Sequence, residues 1–146
     1  MTENGGPAWR QTIFYPYMHA SVFGRGTVLY SVVKSPLYDS KDFTDVPCVD
    51  AVVVFNEEKE ELTVFALNRD TEDSELLEFD MRDFKDYRLI EHITMENEDM
   101  KATNTKENPY NVVPKNSGKT EIKDGKAFAL LNKLSWNVIR FGKIKN

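Results

Sequence analysis

"CVDAVVVFNEEKEELTVFALNRD", residues 48–70, decides the fold. Two near-continuous apolar runs flank the charged tetrapeptide Glu57–Glu60, which reads as a β-hairpin. Runs that are apolar on both faces belong to strands covered from two sides. The stretch therefore predicts a pair of central strands.

The chain on either side continues the theme. "TVLYSVV", residues 27–33, predicts a strand, and residues 34–47 a long loop marked by Pro36, Asp39, Asp45 and Pro47. Downstream, Leu77, Phe79 and Met81 alternate with Glu78, Asp80 and Arg82, the pattern of a half-buried strand. Residues 87–95 predict another, with Tyr87, Leu89 and Ile93 on one side and His92 sharing the face of Ile90. Residues 96–110 are polar and predict a long loop. Asp124-Gly125 signals a tight turn, and "KAFALL" and "SWNVIRF" predict the last strands. Seven or eight strands joined partly by long loops favour a mainly β fold: a two-sheet antiparallel β-sandwich of jelly-roll type.

One segment breaks the pattern. Residues 7–23 predict a helix, with Pro7 at its first position and Gly24 and Gly26 as its stop. Trp9, Ile13 and Tyr17 fall on one face, with Phe14 and Met18 beside them; Pro16 should bend it. So wide an apolar arc needs neighbours on at least two sides. The expected organisation is a helical segment, residues 1–26, followed by a sandwich, residues 27–146.

Bulk composition bounds the function. The chain has 146 residues, 40% apolar and 29% charged, which is ordinary globular composition. A net charge of -5 with scattered basic residues argues against nucleic acid as a partner. Lys143, Lys145 and Asn146 read as a solvated tail. No apolar run approaches the roughly 20 residues of a membrane span. No charged start followed by an apolar run marks a signal peptide, so a cytoplasmic location is expected.

The chemistry-bearing residues are few. Two histidines, His19 and His92, and one cysteine, Cys48, fit no metal-ligand spacing, so no metal site is expected. Both histidines read as packed or hydrogen-bonded side chains, and Cys48 as a small buried residue. The acidic loops 39–45 and 96–99 offer oxygen ligands but match no calcium loop. There is no nucleophile elbow and no phosphate-cradling loop, and no pair of carboxylates stands out, so neither catalytic nor cofactor-binding residues are expected. Trp136 could stack on a sugar, with Tyr30, Tyr38, Tyr87 and Tyr110 as lesser candidates, but its alternation with Leu134 and Val138 is a core pattern.

Three stretches read together carry a family resemblance: "GGPAWRQTIFYPYMHASVFGRG" (5–26), "SPLYDSKDFTDVPCVDAVVVFNEEKEELTVFALNRD" (35–70) and "LSWNVIRFGK" (134–143). They resemble the C-terminal portion of bacterial α-L-arabinofuranosidases of glycoside hydrolase family 51, over essentially the whole chain. The resemblance implies a retaining enzyme that releases terminal arabinofuranose, with catalysis on a (β/α)8 barrel upstream. Its acid/base and nucleophile glutamates lie in barrel motifs with no counterpart here. Residues 7–23 would correspond to the last barrel helix or the run-in to it, with Arg10 and Gln11 nearest the barrel, and Met1 to a position inside the relatives' chains. The resemblance further implies a non-catalytic domain that braces the barrel and supports assembly, inactive alone. Its partners would be the missing barrel and, through Trp9, Ile13, Phe14, Tyr17 and Met18, other copies of the chain. A carbohydrate-binding module for arabinose-containing polysaccharides is the alternative.

Overall fold

The computed structural model describes residues 4–144. A single α-helix, α1 (Phe14–Phe23), leads into ten strands among the described residues. In chain order these are β1 (Thr27–Leu29), β2 (Leu37–Tyr38), β3 (Val46–Pro47), β4 (Val49–Asn56), β5 (Glu61–Asn68), β6 (Glu75–Asp80), β7 (Tyr87–Met95), β8 (Lys119–Lys123), β9 (Lys126–Leu131) and β10 (Ser135–Lys143). A 3-10 turn at Arg82–Phe84 links β6 to β7.

Two antiparallel sheets carry the architecture: a five-stranded sheet in the order β1-β4-β5-β10-β7 and a three-stranded sheet in the order β6-β9-β8. The chain crosses between them four times, after β5, β6, β7 and β9. Their facing sides enclose the main core. Val49, Leu62, Val64, Ala66, Ile139 and Phe141 come from the large sheet, and Ala127, Ala129 and Leu131 from the small one. Leu77 and Phe79 pack against it and Met81 is fully buried, as the alternation of that stretch predicts. Alanines on the central strand of the small sheet let the layers approach closely enough to exclude water. The β4–β5 hairpin pairs Val49 with Asn68 through Asn56 with Glu61. β5 is buried along nearly its whole length because β4 and β10 flank it and both its faces are covered.

Several expectations are corrected. The helix is shorter than residues 7–23, because residues 9–11 are held elsewhere (below). Pro16 lies in the first turn, where no intrahelical carbonyl awaits its missing N–H, so it breaks no helical bond. The strand at 27–33 stops at Leu29. The loop at 34–47 contains the small β2–β3 ribbon. The strand before the Asp124-Gly125 turn, β8, joins the hairpin; both turn residues have positive φ, at 51° and 75°.

β7 differs in a more telling way. Arg140 pairs with Glu91 but Phe141 pairs with Leu89, so Ile90 is an extra residue, a β-bulge. Tyr87 and Leu89 therefore face the core between the sheets, while Ile93 packs on the opposite side. His92, paired with Ile139, faces inward and does not share the face of Ile90. Lys143 also leaves its expected tail: it closes β10 and pairs with Glu60 at 2.6 Å. Lys145 and Asn146 lie outside the described residues.

Candidate functional site

The feature that separates this sandwich from a plain one is what covers its large sheet. The outer side of that sheet carries Val54, Phe65, Val138, Ile93 and Trp136, an apolar strip that would otherwise face water. Helix α1 lies over it. Tyr15 and His19, one turn apart, are its buried residues, and Phe23 joins the apolar cluster.

Two contacts seat the helix. The Trp136 indole, stacked on Phe65, donates its N–H to Nδ1 of His19 at 3.2 Å. This requires that nitrogen to be unprotonated, and burial holds the His19 pKa below its ordinary value against the pull of Glu91. At the helix end, the Phe23 ring lies 4.2 Å from the Arg140 guanidinium. Arg140 is held between Glu61, at 2.6 Å, and Glu91. Burial opposes its charge, but the two carboxylates outweigh that and raise its pKa.

The opposite flank of the helix is bare. Ile13 is 63% exposed and Tyr17 73%. Both were expected on the apolar face, and both face away from the sandwich. Trp9 and Met18 are half-buried. Trp9 lies before the helix, in a run-in whose side chains bond to Asn104: Trp9 Nε1 and Gln11 Nε2 donate to the Asn104 carbonyl at 3.1 and 3.2 Å.

Inside the sandwich, one end of the core is polar. His92 is 1% exposed, with Nε2 3.1 Å from Asn137 Oδ1 and Nδ1 2.7 Å from Thr120 Oγ1. The amide of Asn137 donates to Ser135 Oγ, which donates to the Asn132 carbonyl. This chain implies a neutral imidazole with its proton on Nε2. Burial lowers the His92 pKa, partly offset by Asn137 and the Lys119 backbone. Because β7 and β8 belong to different sheets, the His92–Thr120 bond ties the two layers together.

The other candidates are dispersed. Cys48 is buried, and its thiol pKa is raised by burial and then by the Asp70 carboxylate, the reverse of what a nucleophile needs. No cluster of three or more His, Cys, Asp or Glu with metal-ligand geometry occurs among the described residues. The acidic loops cap their own turns: Asp39 accepts the Asp45 amide, and Asn97 that of Asp99. Tyr38 and Trp136 line one cleft of about 610 Å³ together with Met95, Glu96 and Asp99. Tyr110 lines a separate groove beside Tyr15, Tyr87 packs edge-on against Phe84, and Tyr30 is exposed.

Sequence reasoning missed Arg140, Asn137, Ser135 and Asn104. The first three carried a signal: polar residues in "SWNVIRF", two of them in step with the inward-facing Ile139 and Phe141. Asn104, one polar residue in a polar loop, carried none.

Comparison with known proteins gives one answer. Residues 1–135 match the family described as the alpha-L-arabinofuranosidase C-terminal domain. An intracellular exo-alpha-(1->5)-L-arabinofuranosidase of Halalkalibacterium halodurans is 57% identical over 98% of this chain, and a Bacillus subtilis protein of the same description is 53% identical. The chain covers only 28% of the length of either relative. Among solved structures, AbfB, a family 51 alpha-L-arabinofuranosidase from Bifidobacterium longum, superposes with a TM-score of 0.86 at 32% identity, over 95% of this chain and 27% of that one. The chain therefore belongs to the C-terminal domain family of the glycoside hydrolase family 51 α-L-arabinofuranosidases.

Proposed function

We propose that this chain is the non-catalytic accessory domain of an intracellular α-L-arabinofuranosidase and braces a catalytic barrel through the outer flank of helix α1. One observation carries the reading: α1 is seated on the sandwich by Tyr15, His19 and Phe23 while Ile13 and Tyr17 point away from it. A helix with apolar residues on both flanks wants a second neighbour. The relatives have about 72% of their length beyond the matched part, since the chain covers 28% of them. Without that neighbour, the same flank favours association between copies of the chain.

The test is co-expression with the Bacillus subtilis relative lacking its own matching segment. The expected result is no turnover of an aryl arabinofuranoside by the chain alone, and a soluble, active complex when both parts are present. Robust hydrolysis by the pure chain overturns the reading. Ile13→Ser with Tyr17→Ser should abolish both the complex and self-association in sedimentation runs, leaving the melting temperature unchanged.

A carbohydrate-binding role is the second reading. The cleft shared by Tyr38, Trp136, Glu96 and Asp99 supports it, pairing aromatic surface with hydroxyl-binding carboxylates. Calorimetric titration with arabinan and arabinoxylan oligosaccharides decides: heat that vanishes in Tyr38→Ala favours it, and no heat removes it.

A further inference from the structure

We propose that Asn104 is a positioning residue. It pins residues 9–11 to the 102–112 loop and so fixes the direction from which any preceding chain reaches the sandwich. That direction matters only if a barrel precedes, as proposed above; the pin itself does not depend on it.

Asn104 sits in the middle of a long polar loop yet is 1% exposed. A buried amide is tolerable only when its hydrogen-bonding groups are satisfied. Here Oδ1 accepts from the Val112 amide at 2.7 Å, and Nδ2 donates to the Val112 and Arg10 carbonyls, both at 3.0 Å. Its main-chain carbonyl accepts from Trp9 and Gln11. The two Val112 bonds alone would close the loop. The other three bonds reach residues more than ninety positions away, and closing the loop does not need them.

Those three bonds also explain where α1 begins. In a helix running from residue 7, the Arg10 carbonyl would accept the Phe14 amide. Instead it accepts from Asn104, and the Phe14 amide turns to the Gln11 carbonyl at 3.0 Å. The run-in is held open from outside, so the helix starts at Phe14. Held segments of this kind transmit orientation, because their path is set by bonds to the body and not by the chain's own preferences.

Tryptic cleavage after the exposed Arg10 reads the pin in the full chain, with amide exchange at Ala66 and Ile139 reporting the core. Asn104→Asp keeps the shape and the bond from the Val112 amide but turns an acceptor toward two carbonyls. The expected result is cleavage after Arg10 at least tenfold faster, and faster exchange of the Trp9 indole N–H, with core exchange unchanged. An unchanged cleavage rate, or one rising only in step with core exchange, overturns the proposal. If Asn104→Asp does not fold, Gln11→Glu, which removes one donor to the pin, decides by the same readouts: faster cleavage supports the proposal and an unchanged rate overturns it. None of these readouts requires the barrel, so failure of the co-expression above would count against the functional reading alone.

Discussion

Trp136 and His19 meet across the helix–sheet boundary, with the indole N–H donating to a bare imidazole nitrogen. The bond exists only while His19 is neutral. Burial is the chief cause that holds the His19 pKa below its ordinary 6.5, and the indole N–H favours the neutral ring further, so Trp136→Phe should let that pKa rise part of the way back. Loss of the bond and of indole packing should cost about 1–2 kcal/mol. NMR titration of His19 checks the first outcome, and an unmoved pKa shows that the bond is not formed in solution.

Stability should decline in mild acid. His19 and His92 both have pKa values lowered below 6.5, chiefly by burial. Between the folded and unfolded values the unfolded chain binds more protons, so falling pH favours unfolding. Their contribution is complete above about 6.5 and is lost as pH falls through the folded values. Thermal melts from about pH 7.5 down to about pH 5 should show this decline. Replacing His92 with Gln should flatten the profile as well as lower it.

Two glycines should answer differently to alanine. A Cβ on Gly118 would lie 2.1 Å from the His92 ring, which is buried and bonded at both nitrogens. A Cβ on Gly142 would meet the tip of Ile90 at 2.8 Å, and that side chain is 44% exposed and can turn away. Gly118→Ala should lose about 3 kcal/mol and Gly142→Ala under about 1 kcal/mol. Urea unfolding of both variants measures the gap, and equal losses refute the account.

Arg140→Met should be costly at neutral pH, by about 3 kcal/mol, because Glu61 and Glu91 are then left close together without their shared cation. Arg140→Lys, which keeps a cation beside both carboxylates, should lose clearly less. Denaturant midpoints of the two variants measure the difference. Equal losses mean that lost packing against Phe23, not charge, dominates.

The layered β architecture was legible in residues 48–70 and in the alternation at Leu77, Phe79 and Met81, because one-sided burial imprints a period of two. The bulge at Ile90 was not, since an extra residue in one strand is defined only by its partner. Residues 7–13 read as helix on local preference alone; a single asparagine some ninety positions away overrides it. The outward flank of α1 followed from the breadth of its apolar arc. Which residues would turn inward did not, because Tyr15 and His19 were chosen by the grooves they meet.

The inward row of β10 changes character along its length, from Ser135 and Asn137 at one end to Ile139 and Phe141 at the other. Oily side chains tolerate sliding past one another; matched donors and acceptors do not. A two-residue slip of β10 would preserve the inside–outside alternation yet strand His92 and Asn137 without their mates. The polar half of the interior thus works as a vernier, selecting one alignment among several that greasy contacts alone would accept.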